Sequence, residues 1–435
     1  MIWIAAAVVI LVLALLTGTS LLAYAMYALL AIILISRYVT RRWAEELSAS
    51  RECNRLEASV GDSVAVVVTI ENQGKLPVGW VLLEDLLPRE AIMFDPPSLQ
   101  VTGRRVQLSM LAPGAKKQLR YQLTCNRRGY YQLGPVVLET GDLFGLHRRF
   151  RVAADPSFLM VLPKVIPLSG YELSSKRPIG EVRMTYRLYE DPTRIAGVRA
   201  YERGDSLNRI HWRATARTGA LHSKVYEPST VAGATILMDF HRDSHPRRDE
   251  PYRSELAITA AASIANAVYL MGQQIGLVTN GRDAADRIRT EGWAHDYRSR
   301  DAARQAAAMQ GQSDRLRPLF VETRRGPEQF RSILETLARM ELTDGLPLPA
   351  LIEEAAARMP RDATVIAILP RGDEIGAIAL ANLRRRGLAV TVLLNFHDDY
   401  EYARAAGFFQ AERIETRHLR DEASIVEICR QYVLR

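Results

Sequence analysis

The stretch RIAGVRAYERGDSLNRIHWRATARTGALHSKVYE, residues 194–227, marks the boundary between two sequence patterns and thereby decides the fold prediction. Before it, apolar residues recur with a period of two, which is typical of antiparallel strands with one buried face. After it, short apolar runs alternate with helical segments, which is typical of an α/β domain. The stretch is also rich in arginine, so it is the first candidate for a functional site.

A short helix is predicted inside this stretch, from about Ser206 to Arg217. Asp205 is the predicted N-cap, because its carboxylate can accept a backbone N–H of the first turn. Arg209, Arg213 and Arg217 are four residues apart and would share one face of the helix.

Two interpretations of these arginines stay open. In the first, they form a docking surface for an anionic partner, since guanidinium groups bind carboxylates and phosphates through paired hydrogen bonds. In the second, they form a structural ion-pair network with Trp212 as a core anchor, because buried arginines need carboxylate partners. A catalytic role for His211 or His222 is not favoured, because no nucleophile or carboxylate pair accompanies them.

Residues 1–36 are predicted to form a membrane anchor of two transmembrane helices. Ile2–Leu16 and Leu21–Ile35 are apolar runs, and the segment between them is suited to a tight turn. Each run is slightly shorter than the roughly 20 residues that a spanning helix needs, so flanking residues would be drawn in. A single tilted span is the alternative.

The residues after the second run predict the orientation of this anchor. Arg37, Arg41 and Arg42 follow it, with Trp43 as a predicted interfacial anchor. By the positive-inside rule this end lies in the cytoplasm, so the soluble domains are predicted to face the cytoplasm from the inner membrane. The net charge of +8 fits contact with an anionic surface such as the lipid bilayer, and nucleic acid is a less favoured partner. Three cysteines without a CxxC pair fit a reducing compartment.

Residues 37–151 are predicted to form an antiparallel β-sandwich, immunoglobulin-like in class. The last strand of this prediction is interrupted by Gly134-Pro135. The apolar or alternating runs behind the prediction are Val64–Ile70, Val78–Leu83, Gln118–Thr124 and Tyr130–Glu139.

Residues 231–435 are predicted to form an α/β domain around a parallel sheet, and residues 152–230 a linker that carries the arginine-rich motif. Ligands of such sheets bind at the carboxyl ends of the strands. The predicted strands are 234–239, 275–279, 363–369 and 388–395. The polar residues at their ends are Asp239, Thr279, Asp373 and Asn395.

A loop after the first of these strands contains the best metal candidates, with carboxylates suited to Mg²⁺ and imidazoles suited to softer metals. These candidates are Asp239, His241, Asp243 and His245. Three arginines in the same loop would repel a cation, so a solvated loop is the preferred interpretation and no cofactor is expected. The sequence also lacks the common phosphate-binding, dinucleotide-binding, zinc-protease and serine-hydrolase motifs, which disfavours an enzyme.

The arginine-rich stretch resembles the signature of the bacterial proteins grouped as domain of unknown function number 58. Upstream, Gly141–Leu146 resembles the D-P-F-G-L segment of that family, with Leu143 in place of proline. The residues that match the signature are Gly197, Arg199, Tyr201, Gly204, Asp205, Arg209, Ile210, Trp212, Ala216, Arg217, Gly219 and Leu221, with Arg213 in a usual basic position.

The resemblance implies a fold and a role. It implies paired N-terminal spans, a β-sandwich, the signature motif and a von Willebrand factor A-like domain with a Rossmann-type parallel sheet. It also implies a membrane-bound adaptor, not an enzyme, whose partner is a MoxR-type AAA+ ATPase. Von Willebrand A domains commonly bind a divalent metal through D-x-S-x-S, and here His241 and Asp243 replace the two serines that follow Asp239.

The expected function is therefore that of a cytoplasmic adaptor that presents a basic motif and an α/β interaction domain to an ATPase. The alternative is a metal-dependent enzyme or a metal-binding adhesion module with a site near Asp239. A third hypothesis, binding of nucleic acid by the arginine face, predicts a steep salt dependence of the affinity.

Overall fold

The computed structural model describes residues 2–18, 20–93, 95–167, 189–201, 210–229, 233–291, 316–360 and 363–433. The chain divides into two compact units. The first unit consists of Met1–Lys164, Asp283–Gln312 and Glu335–Met340, and the second of Val165–Arg282, Ser313–Leu334 and Glu341–Arg435.

Two apolar helices begin the first unit. Helix α1 spans Ile2–Leu16, helix α2 spans Ser20–Glu46, and the two contact each other. Among the helices that the structure describes, α2 is the one long and apolar enough to cross a membrane, whereas the apolar part of α1 is shorter. The structure therefore supports an N-terminal membrane helix, and the second span stays a prediction.

Helix α2 continues well past its apolar part, and this changes the role of Trp43. Ser36, Thr40 and Trp43 lie on one face of α2 and are buried. The Trp43 ring joins the apolar core of the sandwich, so its prediction as an interfacial anchor is wrong. The physical reason is that α2 continues unbroken to Glu46, so Trp43 lies on the same buried face of the helix as Ser36 and Thr40.

Mainly antiparallel sheets follow these helices, as the sequence predicts. The elements are β1 (Leu47–Cys53), β2 (Glu57–Ser59), β3 (Ser63–Asn72), β4 (Val78–Asp85), α3 (Arg89–Met93), β5 (Leu99–Gly103), β6 (Val106–Leu111), β7 (Lys116–Cys125), β8 (Gly129–Leu133), β9 (Val136–Gly141), β10 (Arg148–Ala154) and β11 (Ser157–Leu162). Two four-stranded sheets have the orders β1-β3-β7-β5 and β10-β9-β4-β6. Alternate residues of β3, such as Val64 and Val66, enter a shared core. A smaller sheet has the order β2-β11-β8, in which β2 and β11 form a parallel pair.

The chain changes sheets at Gly134-Pro135, where the sequence predicts one interrupted strand. Gly134 has a positive φ of 91°, and the chain leaves β8 in one sheet and enters β9 in another. The strands also continue past Arg151, because β11 pairs with both β2 and β8 and belongs to the first unit.

The elements beyond Lys164 alternate strands with helices. They are β12 (Tyr189–Ala200), α4 (Trp212–Thr218), β13 (His222–Ser229), β14 (Gly233–Met238), α5 (Tyr252–Leu270), β15 (Gln274–Thr279), β16 (Arg282–Asp283), α6 (Ala284–Glu291), β17 (Leu319–Arg324), α7 (Pro327–Arg339), β18 (Met340–Glu341), α8 (Leu348–Ala355), β19 (Ala363–Leu369), α9 (Glu374–Arg385), β20 (Ala389–Leu394), α10 (Asp399–Ala411), β21 (Glu415–His418) and α11 (Glu422–Val433).

The main sheet of the second unit has the order β17-β15-β14-β19-β20-β21. All neighbouring strands are parallel except β17, which runs antiparallel to β15. Leu237 belongs to a core cluster with residues of α8, α9 and α10, and its neighbours Ile236 and Met238, which point the other way, are also buried. Both faces of the central strand are therefore covered, which explains its continuous apolar sequence.

Candidate functional site

The arginine-rich stretch folds as a two-stranded ribbon with a short helix. Strands β12 and β13 pair antiparallel, and Arg199 lies opposite Ser223. Just past β12, the Tyr201 N–H donates to the carbonyl oxygen of Leu221 at 2.9 Å. Gly197 lies in β12 at a shift of register. These contacts connect the first and last parts of the signature.

Helix α4 begins at Trp212, later than the sequence predicts. Ile210 is buried and forms a β-bridge to β13, and the His211 N–H donates to the His222 carbonyl oxygen at 2.8 Å. Because this pairing holds both residues outside the helix, the predicted start near residue 206 is wrong. The N-cap is His211, whose Nδ1 accepts the N–H of Ala214 at 3.0 Å.

Part of the predicted site lies outside the described residues, namely Gly204, Asp205 and Arg209. The common face predicted for three arginines therefore reduces, on α4, to Arg213 and Arg217.

The most informative feature of this region is an exposed surface that we call the signature surface. The name denotes the exposed side chains of the signature in β12, in α4 and just before β13, which are Val198, Trp212, Arg213, Arg217 and Leu221. The Trp212 side chain is 67% exposed, so its interpretation as a core anchor is wrong. Within the described part of the chain, Arg213 and Arg217 form no ion pair or hydrogen bond through their side chains. The structural ion-pair interpretation therefore has no support from these two arginines.

This combination of side chains is suited to binding another protein. Trp and Arg are the residue types most enriched among those that dominate interface energetics. A tryptophan supplies a large apolar contact area, and a free guanidinium can bind a carboxylate through two parallel hydrogen bonds. The surface would therefore accept an acidic segment that also carries apolar side chains.

The predicted strand-end cluster is organised around Asp239, which is buried at the end of β14. Its Oδ1 accepts the Asn280 Nδ2–H at 2.9 Å and the His241 N–H at 3.1 Å. Asn280 also accepts the Phe240 N–H at 2.6 Å and donates to the Leu346 carbonyl oxygen at 2.8 Å. The sequence analysis did not predict a role for Asn280, although this residue directly follows β15 just as Asp239 follows β14.

The other predicted metal ligands point to different partners. His241 Nδ1 accepts the Asp243 N–H at 3.2 Å, and His245 lies against Glu250, with 2.8 Å between Nδ1 and Oε1. Among the described residues, no group of three or more His, Cys, Asp or Glu side chains is arranged to hold a metal ion. Asp239 is thus engaged by protein donors.

A buried histidine and carboxylate pair reinforces this loop. Burial alone raises the pKa of Glu250, but hydrogen bonds from His245 and Ser254 outweigh it, so the net pKa of Glu250 is lowered. His245 Nε2 lies 3.2 Å from the carbonyl oxygen of Asp239. The pair therefore ties the end of β14 to the start of α5.

The remaining predicted strand-end residues also have structural contacts. Thr279 Oγ1 accepts the N–H of Gly281 at 3.0 Å, and Asp373 caps α9. Asn395 exchanges two hydrogen bonds with Arg253, one with its guanidinium and one with its backbone carbonyl. Burial lowers the pKa of Arg253, and its Nη2 is buried without a hydrogen-bond partner in the described part of the chain.

Comparison with known proteins shows that this region is similar to a family of unknown function. The family model described as "Protein of unknown function DUF58" matches residues 197–315. The uncharacterized protein YeaD of Bacillus subtilis (strain 168) is 26% identical over 261 residues. The match covers 59% of this chain and spans 62% of the length of that relative.

Solved structures resemble the chain only weakly. The CARDB domain of the PF1109 protein from Pyrococcus furiosus matches 26% of this chain and 91% of that chain, with 13% identity and a TM-score of 0.20. Proximal thread matrix protein 1 from the mussel byssus matches 47% of each chain, with 10% identity and a TM-score of 0.28. The family model and the Bacillus relative together support the resemblance of this chain to the DUF58 family.

Proposed function

We propose that this protein is a membrane-anchored adaptor, facing the cytoplasm, that uses the signature surface to bind a protein partner. The observation that carries the proposal is the exposure of Trp212 beside Arg213 and Arg217, which have no acidic partner among the described residues. When a partner covers a large exposed aromatic side chain, removal of its apolar surface from water stabilises the complex. A role in catalysis is not part of the proposal.

The partner we propose is a MoxR-type AAA+ ATPase, which is the partner that the family resemblance implies. Two arginines favour an acidic docking segment on that ATPase through charge complementarity, which also accelerates association. The cytoplasmic orientation is supported by Arg37, Arg41 and Arg42, which follow the apolar part of α2.

We also propose that the second unit is a von Willebrand factor A-like domain without the usual metal site. In order of appearance along the chain, the strands of its sheet lie in the order third, second, first, fourth, fifth and sixth. The carboxyl ends of the first and fourth strands, β14 and β19, are neighbours where this order reverses, which is where such sheets bind ligands. His241 and Asp243 in place of two serines support an interaction domain that works without a divalent metal.

Co-purification from detergent-solubilised membranes tests the adaptor proposal. The double variant Arg213→Glu/Arg217→Glu should lose the ATPase, because two attractive charges become repulsive. Arg404→Glu is the matched control, since Arg404 is an exposed helical arginine on α10. The control should retain the ATPase, and the double variant should have the same thermal unfolding midpoint as the wild-type protein. Retention of the ATPase by the double variant would contradict it.

A further inference from the structure

A second exposed apolar surface lies on the first unit, in the loop between β9 and β10. We call Leu143, Phe144 and Leu146 the loop tip. All three side chains are exposed, and Phe144 is 70% exposed. Exposed clusters of large apolar residues mark binding surfaces on folded domains.

The loop is fixed to the membrane helix by a buried carboxylate, Asp142. Its Oδ2 accepts the hydroxyl hydrogen of Ser36, on α2, at 2.6 Å. The same carboxylate accepts the backbone N–H groups of Leu146 at 3.2 Å and His147 at 2.9 Å. Asp142 therefore holds the loop in one conformation and at one height along α2.

Apolar packing fixes the same height independently. A Cβ placed at Gly79, in β4, would lie 3.1 Å from the Trp43 ring and 3.3 Å from Leu143 Cδ2. Strand β4, helix α2 and the loop are thus in close contact, and a Cβ at position 79 would require the Trp43 ring or the Leu143 side chain to shift by a few tenths of an ångström. The loop cannot move along α2 without breaking both sets of contacts.

The height at which the loop is fixed matches the edge of a bilayer. The apolar run Leu21–Ile35 of α2 rises about 22 Å, at 1.5 Å per residue. This is less than the roughly 30 Å of a hydrocarbon core, so the bilayer must draw in residues on both sides of the run. Ser36, directly after the run, therefore lies within about one helical turn of the hydrocarbon boundary. The loop tip directly follows Asp142, which is bonded to Ser36, so it lies near the level of the lipid headgroups.

The charges around the loop tip complement an anionic membrane. Three exposed arginines lie next to these contacts in the sequence. Arg37 follows Ser36 on α2, and Arg148 and Arg149 begin β10 directly after the loop. Basic residues near the membrane surface are attracted to anionic headgroups, while Leu and Phe side chains enter the boundary between headgroups and acyl chains. A second copy of the chain seated on the tip would instead bring like charges together.

We propose that the loop tip inserts into the headgroup region of an anionic phospholipid bilayer and holds the sandwich against the membrane surface. The anchor is then a two-point contact, made by α2 and by the loop. This fixes the orientation of the first unit relative to the bilayer and does not depend on the identity of any protein partner.

Fluorescence quenching in the full-length protein tests this proposal. Phe144→Cys is labelled with an environment-sensitive nitrobenzoxadiazole dye, in nanodiscs of phosphatidylcholine and phosphatidylglycerol that carry a nitroxide on the acyl chain. The unsubstituted chain, which has three cysteines, gives the background signal. Met93→Cys is the matched control, because Met93 is apolar and 80% exposed. Met93 comes after the end of β4 that is opposite to Gly79, and the two ends of this strand are about 24 Å apart at 3.4 Å per residue.

The proposal predicts quenching several-fold stronger at position 144 than at position 93. Adding Asp142→Ala should reduce the quenching at 144, because the loop is no longer held at Ser36. Equal quenching at the two positions, in proteins with the same circular dichroism spectrum, would overturn the proposal. So would quenching at 144 that is unaffected by Asp142→Ala and by removal of the anionic lipid.

Discussion

Two arginine sites in this chain are built in opposite ways. Arg51, in the first unit, is buried, and its Nε and Nη2 donate to the two carboxylate oxygens of Asp85 at 2.9 and 2.8 Å. Its Nη1 donates to the Leu133 carbonyl oxygen at 2.7 Å. Arg213 and Arg217, on the signature surface, are exposed and have no side-chain partner among the described residues.

Burial and internal partners together distinguish a structural arginine from a docking arginine. A buried guanidinium is tolerated only when a carboxylate and further acceptors satisfy it, because the cost of desolvation is otherwise too large. An exposed guanidinium without an internal partner contributes little to folding and keeps its hydrogen bonds for another molecule.

The largest effect is expected for Asp85→Ala, which leaves the Arg51 charge buried without its partner. The free energy of unfolding should fall by about 3–5 kcal/mol. Tyr121→Phe removes only the 2.8 Å hydrogen bond from the Tyr121 hydroxyl to Asp85 and should cost about 2 kcal/mol. Urea denaturation measures both values. A loss below about 1 kcal/mol for Asp85→Ala would show that the pair is not the structural site that we describe.

A smaller effect is expected for Asn280→Ala in the second unit. This change removes the side-chain hydrogen bonds to the Phe240 N–H, the Leu346 carbonyl and Asp239, so the free energy of unfolding should fall by about 2 kcal/mol. Asn382, which is exposed on α9, is the control, and Asn382→Ala should change stability by less than about 0.5 kcal/mol. Equal effects at the two positions would mean that the strand-end network has no role in stability.

The loop that carries the loop tip should show a pH dependence. Burial pushes the pKa of Asp142 upward, but hydrogen bonds from Ser36, His147 and Leu146 outweigh it, so its net pKa is lowered. A lowered pKa means that the carboxylate contributes stability above its unfolded value of about 4, and that this contribution is lost as the pH falls through the folded-state pKa. The stability difference between wild type and Asp142→Asn should therefore be larger at about pH 6 than at about pH 3. A difference that is constant across this range would contradict the assignment.

The smallest effect on stability is expected on the signature surface. Arg213→Ala and Arg217→Ala should each change the free energy of unfolding by less than about 0.5 kcal/mol, because neither side chain has a partner among the residues that the structure describes. Thermal unfolding of the full-length protein in detergent measures this. A loss of about 2 kcal/mol or more from either change would restore the interpretation of these residues as a structural clamp.

The regular elements could be predicted from the sequence because their periodicity is strong. The β-branched run Val64–Ile70 predicts β3, and the continuous apolar runs near 236 and 366 predict β14 and β19. The short edge strand β21 was missed, because Glu415–His418 is polar and gains its strand structure only by pairing with β20.

The site was predicted less completely because local signals compete with long-range contacts there. Asp205 has the chemistry of an N-cap, but the pairing of Ile210 and His211 with β13 moves the start of the helix to Trp212. Trp43 has the chemistry of an interfacial anchor, but it lies on the face of α2 that packs on the sandwich. Burial of a tryptophan depends on the whole fold. The burial of Trp43 and the exposure of Trp212 therefore cannot be predicted from their neighbours in sequence.

The most direct test of the docking surface is a paired measurement on Trp212→Ala. The change in the free energy of unfolding and the Kd for a purified MoxR-type ATPase are both determined with the full-length protein in nanodiscs. We predict a change in stability below about 1 kcal/mol, together with a Kd increased about 30-fold, which corresponds to the roughly 2 kcal/mol of a dominant interface residue. An unchanged Kd accompanied by a loss of stability of about 3 kcal/mol would contradict the assignment of Trp212 to a docking surface, since a loss of that size is typical of a buried tryptophan.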